Sequence, residues 1–140
     1  MQIHASCVAR DGAGIVLLGP PGSGKSDLAL RLLDRGFVLV ADDRVEIVDG
    51  MARPPAQLAG LIEVRGLGLL RMPHAASARI ALAIALTPDM PRLPAPRRHE
   101  SLAVPFILLD PRSPSAAQRA ELALDCALGR IVQPAGAFAP

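Results

Sequence analysis

The chain has 140 residues, 51% of them apolar, a formal net charge of +2 and no Trp or Tyr. That is enough for one domain with a true core, too apolar for a disordered chain and too weakly charged for a nucleic-acid-binding stripe. With Phe37, Phe106 and Phe138 as its only aromatic rings, it also lacks platforms on which single-stranded bases could stack.

The charge is uneven, with 5 basic and 7 acidic side chains in residues 1–50 against 10 and 6 in residues 51–140. A modest basic surface in the second half could therefore meet an acidic partner or phosphate. Cys7 and Cys126 are isolated and read as free thiols. No apolar run is long enough to span a bilayer, and the N-terminus lacks a charged-then-apolar leader, so a soluble cytoplasmic protein is expected.

In chain order, Gln2–Ala9 reads as a strand, Arg10–Gly14 as a turn with an Asp-Gly signal, and Ile15–Leu18 as a buried strand. The first two strands should form a hairpin, which makes the sheet mixed. Next comes Gly19-Pro20-Pro21-Gly22-Ser23-Gly24-Lys25-Ser26, which fits G-x-x-x-x-G-K-[ST] at every fixed position. A helix reading over Asp27–Leu33 completes the strand–loop–helix context that a phosphate-binding loop requires. Gly19, Gly22 and Gly24, with Ser23, would let successive backbone N–H groups face an anion, and the helix N-terminus adds its positive dipole end. Lys25 would supply a mobile charge for the terminal phosphates, and the Ser26 hydroxyl could bind Mg²⁺. Lys25 is the only lysine in the chain, against 14 arginines. A compact ammonium is thus used only where phosphate binding calls for one.

Gly36 fits a helix C-terminus, and Phe37–Ala41 is a buried strand that runs directly into Asp42-Asp43-Arg44. Two carboxylates at the end of a core strand after a phosphate loop suit a division of labour, one for Mg²⁺ or its water and the other for a proton. Val45–Val48 is a strand, Met51–Pro55 a turn-rich link, and Leu61–Arg65 an apolar stretch carrying Glu63 and Arg65. Met72–Ala78 reads as a loop with a solvated His74, Arg79–Leu86 as the cleanest strand, and Thr87–Glu100 as a Pro- and Arg-rich segment unfit for helix or inner strand. Val104–Leu109 is a further strand. A helix follows from Ser115, as N-cap, to about Leu128, with Gly129 as its C-cap, and residues 134–140 should be frayed.

Three blocks taken together carry a resemblance: His4 upstream of Gly19–Ser26, then Ala41-Asp42-Asp43-Arg44-Val45, then Ile62-Glu63-Val64-Arg65-Gly66-Leu67-Gly68. Over about residues 1–110 the chain resembles the catalytic domain of HPr kinase/phosphorylase, in a short form of the alphaproteobacterial type. The resemblance implies an α/β fold of the phosphoenolpyruvate carboxykinase-like P-loop type, with a mixed sheet, an N-terminal hairpin and few helices. It implies a single catalytic domain over 1–140 without the family's N-terminal regulatory domain.

By resemblance, Lys25 contacts the phosphates, Ser26 with Glu63 holds Mg²⁺, Asp42 is the proton acceptor, and His4 and Arg92 are catalytic; Asp43 is assigned to the metal. The activity implied is an ATP- and Mg²⁺-dependent transfer to a serine of the phosphocarrier protein HPr, with the reverse dephosphorylation as a second activity and a homo-oligomer as a further expectation. Neither nucleic acid nor membrane is an expected partner. Two rivals share the same loop: a small-molecule kinase, and a nucleotide-sensing module that transfers nothing. The chain departs from the family pattern at Leu70-Arg71-Met72-Pro73 and after Val104-Pro105, where Asp110-Pro111-Arg112 is the nearest remnant.

Overall fold

The computed structural model describes residues 1–140. Its centre is a hairpin of β2 (Ser6–Arg10) and β3 (Ala13–Leu18). Asp11 and Gly12 make its turn at φ 52° and 80°, and a two-residue turn with positive φ at both positions matches the twist of the strands it joins. From β3 the chain passes through residues 19–24 into α1 (Lys25–Leu33). Phe37 N–H then reaches Leu32 O, Gly36 N–H reaches Leu33 O, and Gly36 stands at φ 90°. This is the glycine-terminated helix end expected from the sequence.

The remaining strands are β1 (Gln2–His4), β4 (Val38–Ala41), β5 (Arg44–Val48), β6 (Met51–Arg53), β7 (Leu61–Val64), β8 (Gly68–Arg71), β9 (Ala78–Leu86) and β10 (Phe106–Leu109); α2 (Ala116–Ala127) follows. The main sheet runs β1-β5-β6-β9-β3-β2-β4, with β10 beside β9. The pairs β3–β9 and β9–β10 are parallel and the others antiparallel, so the sheet is mixed, as expected. Parallel pairing puts the C-terminal ends of β3, β9 and β10 on one edge, where residues 19–24 leave the sheet. β7 and β8 form a separate two-stranded ribbon.

The expected strand Gln2–Ala9 is in fact two strands broken at Ala5, and β4 and β5 are likewise broken at Asp42-Asp43. The breaks face each other, since Ala5 N–H donates to Asp43 O at 3.2 Å. β2 pairs with β4 on one side of the bend and β1 with β5 on the other, so the two ends of the strand order are joined and the sheet curls on itself. Asp43 makes the bend at φ 69°, a left-handed conformation that Asp tolerates better than most residues.

The curl divides the core because successive strand residues face opposite sides. Val8, Ile15, Leu17, Leu39, Leu82 and Ile84 pack against Leu28 and Leu32 of α1 and Ala120 and Leu124 of α2. The inner side holds Cys7, Val16, Val40, Val45 and Ile47 with five alanines, Ala5, Ala9, Ala41, Ala52 and Ala78. Small residues suit the tight interior of a curled sheet.

Three further expectations need correction. The link Met51–Pro55 contains a strand, β6, because backbone pairing to Glu46–Val48 and to β9 outweighs its turn-like composition. Ser115 precedes α2 but makes no side-chain cap; its hydroxyl instead accepts from Arg119 Nε at 2.8 Å. Residues 134–140 are not loose, for Ala137 is buried and Phe138 packs on the core, with its N–H donating to Gln133 Oε1. No helix is long and apolar enough to cross a membrane.

α2 is fastened to the sheet by charge. Arg10 Nη1 lies 2.7 Å from Glu121 Oε2, Arg10 also bonds Asp125, and its guanidinium sits 5.1 Å from the centre of the Phe37 ring. Replacing Arg10 with Met would leave two half-buried carboxylates with less compensation. We expect urea denaturation to show a loss of about 2–3 kcal/mol. The exposed Arg53–Glu46 pair is the control, and Arg53→Met should cost less than about 1 kcal/mol. Equal losses in the two variants would refute the anchoring role of Arg10.

Candidate active site

The loop after β3 is shaped by glycine where a side chain cannot go. Gly22 and Gly24 stand at φ 78° and 102°, and a Cβ on Gly19 would lie 2.4 Å from Ser23 Oγ. Ser23 N–H closes the loop onto Pro20 O at 3.1 Å, and Gly24 opens α1 by accepting from Leu28 N–H. The first N–H groups of α1 thus lie beside the loop without helical partners, at the positive end of the helix dipole. Lys25 Nζ folds back over the loop, donating to Gly19 O at 2.6 Å and Pro20 O at 3.1 Å. Ser23 Oγ is buried without a partner. A helix N-terminus with an ammonium beside it suits an anion.

Asp42 lies where β4 bends, with 6% of its surface exposed. Three elements donate to it. The Ser6 hydroxyl of β2 and the Ser26 hydroxyl of α1 each reach Oδ1 at 2.7 Å, and the Glu63 N–H of β7 reaches Oδ2 at 3.2 Å. Asp43 turns the other way, its side chain 74% exposed and 3.9 Å from Arg44 Nε. The two adjacent carboxylates therefore differ in kind, one anchored and one free.

A cleft of about 580 Å³ opens between the loop, the bend and β7. Gly22, Gly24, Lys25 and Ser26 line one wall and Asp43, Glu63 and Arg65 the other, with Ser6 between them. The expected residues Gly22, Gly24, Lys25, Ser26, Asp43 and Glu63 thus come together on the walls, with Asp42 directly behind Ser26. His4 is exposed on β1, paired in register with Arg44, and is not on the cleft wall. Arg92 is exposed in the irregular segment after β9, also off the wall.

No group of three or more His, Cys, Asp or Glu gathers to hold a metal unaided. The oxygens present, from Ser26, Asp43 and Glu63, are hard ligands. They fit Mg²⁺, which is commonly held by one or two protein oxygens plus phosphates rather than by a full protein cage.

Thiolate chemistry does not fit at Cys7, whose thiol burial pushes up to about 12. Beside the loop, the Arg112 N–H and guanidinium hold the Asp110 carboxyl below its ordinary range, and Pro111 lies within van der Waals contact of a Cβ built on Gly24.

Ser6 and Arg65 were not among the expected site residues. Ser6 left a faint signal, a single hydroxyl among Ala5, Cys7, Val8 and Ala9, in a run whose residues are all buried. A buried hydroxyl needs a partner, but nothing local says that the partner is Asp42.

Comparison with known proteins places the chain among a known family. The family model of the HPr serine kinase C-terminal domain matches residues 1–85. The chain is similar to the HPr kinase/phosphorylase of Clostridium beijerinckii, 44% identical over 73 residues that cover 49% of this chain and 24% of that protein. It is also similar to that of Clostridium novyi, 42% identical over 76 residues covering 51% and 25%. The chain thus spans about a quarter of the length of these relatives. Among solved structures it is similar to the Hpr(Ser) kinase/phosphatase from Coxiella burnetii, with a TM-score of 0.79 and 26% identity over 93% of this chain and 92% of that one.

Proposed function

We propose, for a chain that belongs to the HPr serine kinase C-terminal domain family, that it transfers the terminal phosphoryl group of ATP to a serine of HPr in the cytoplasm. The observation that carries this reading is the hydrogen bond from Ser26 to Asp42 at the mouth of the phosphate loop. The Ser26 hydroxyl has one proton, and giving it to Asp42 leaves its lone pairs free to face a cation. Mg²⁺ would be held by Ser26 with Asp43 and Glu63, and would neutralise phosphate charge when bound. Lys25 and the loop amides of Gly19, Gly22 and Gly24 cradle the phosphates, while Ser23 shapes the loop through its own N–H on Pro20 O.

Asp42 is the proton acceptor in this reading. A carboxylate offers about four lone-pair sites, and its donors are Ser6, Ser26 and Glu63 N–H. These donors leave one such site unused; Asp42 lies behind Ser26 rather than on the cleft wall, and its role as acceptor is carried by family likeness. The serine oxygen attacks the terminal phosphorus, its proton passes to Asp42, the P–O bond to the leaving ADP breaks, and the phosphate ester remains on the protein substrate. His4 and Arg92 are carried as catalytic residues by family likeness alone. Dephosphorylation of the product is proposed as a second activity on the same grounds.

The test is incubation with γ-labelled ATP, Mg²⁺ and purified HPr. Label recovered on HPr as phosphoserine is the expected result. Nucleotide binding without label on any acceptor would replace this reading with a nucleotide-sensing module, and label on a small molecule would replace it with a metabolite kinase.

A further inference from the structure

Ser6 is fully buried in an apolar run and lies at the base of the cleft. Its hydroxyl is given to Asp42 Oδ1 at 2.7 Å, the same oxygen that takes the Ser26 hydroxyl at 2.7 Å. With the Glu63 N–H on Oδ2, donors from three elements fix how the carboxylate is rotated about its own bond to the chain. Ser26 alone could not do this, because a single donor leaves the carboxylate free to turn and the serine free to change rotamer. With Oδ1 held from the β2 side, the Ser26 proton has a fixed acceptor and its lone pairs a fixed direction, toward the cleft.

We infer that Ser6 is a positioning residue: acting through Asp42, it sets the orientation in which the Ser26 hydroxyl meets a divalent cation bound with a nucleotide. The inference rests on the nucleotide-binding reading above and adds to it a residue from the opening hairpin, outside the phosphate loop and the carboxylate pair. Outer partners of this kind tune metal affinity by aiming the inner ligand.

The experiment compares the unaltered chain with Ser6→Ala and Ser6→Thr by titrating a fluorescent ATP analogue, once with Mg²⁺ varied and once in EDTA. Ser6→Ala removes one of the three donors to a buried carboxylate and leaves Ser26 on Oδ1, so a lower melting temperature is expected and binding is compared at a temperature where all three chains are folded. The expected result is a Mg²⁺ requirement raised about tenfold or more in Ser6→Ala, with affinity in EDTA held to within about twofold and Ser6→Thr restoring the original requirement. An unchanged Mg²⁺ requirement in Ser6→Ala would overturn the inference, as would equal losses with and without Mg²⁺. A threonine variant that melts normally yet behaves like the alanine one would do the same. Failure of the unaltered chain to bind nucleotide in either condition would overturn the underlying reading along with it, whereas Mg²⁺-dependent binding that Ser6→Ala leaves intact would sink the inference alone.

Discussion

Replacing Asp42 with Asn is expected to lower kcat for serine phosphorylation by about 10²–10⁴-fold, the range of a positioned proton acceptor. The amide keeps one oxygen for the Ser6 and Ser26 hydroxyls but places an NH₂ group where Oδ2 accepted the Glu63 N–H. Two donors then face each other in a buried site, so the variant should also lose about 1–3 kcal/mol of stability. Nucleotide affinity in EDTA, carried by Lys25 and the loop amides, should hold. Asp43→Asn is the paired measurement. Asp43 is exposed, and its nearest charged partner is the loosely placed Arg44, so this change should leave melting unaltered while raising the Mg²⁺ requirement. Single-turnover assays on both variants separate the two carboxylates, and full turnover in Asp42→Asn would remove Asp42 from proton transfer.

The second large effect is expected at Lys25. Lys25→Met should reduce kcat/KM by about 10²–10³-fold, the scale of losing one preorganised charge-stabilising donor. Arginine should not rescue it. The ammonium reaches Gly19 O and Pro20 O at 2.6 and 3.1 Å, a point-charge position that a planar, broader guanidinium does not reproduce. Because Lys25 is the only lysine, an amine-directed reagent has two primary targets, this residue and the N-terminus. ATP should protect Lys25 and leave the N-terminus reactive, which peptide mass spectrometry reads directly. Unprotected labelling of Lys25 at saturating ATP, or wild-type turnover in Lys25→Met, would take the residue out of phosphate binding.

Much of the fold was legible because its signals are local. The Asp11-Gly12 turn, the strand before the loop, the glycines at 22 and 24, and Gly36 and Gly129 at helix ends each act through backbone geometry within a few residues. The same holds for the alternation of Arg79–Leu86, which became β9. The segment at β6 was missed because its composition favours turns while its partners lie in β5 and β9. The tail was misjudged because Phe138 packs on a core assembled from distant elements.

The site divides in the same way. Consecutive residues sufficed to show a phosphate loop, a lone lysine placed in it, and a pair of acids at the end of a core strand. They did not show which acid is anchored. That depends on a curled sheet whose bends at Ala5 and Asp42-Asp43 meet, bringing Ser6 to a carboxylate 36 positions away and Glu63 N–H to one 21 positions away. Loop chemistry and periodicity are properties of neighbours in the chain. Burial and hydrogen-bond partnership are properties of neighbours in space, and only the closed sheet made Asp42 the fixed carboxylate and Asp43 the one that faces the cleft.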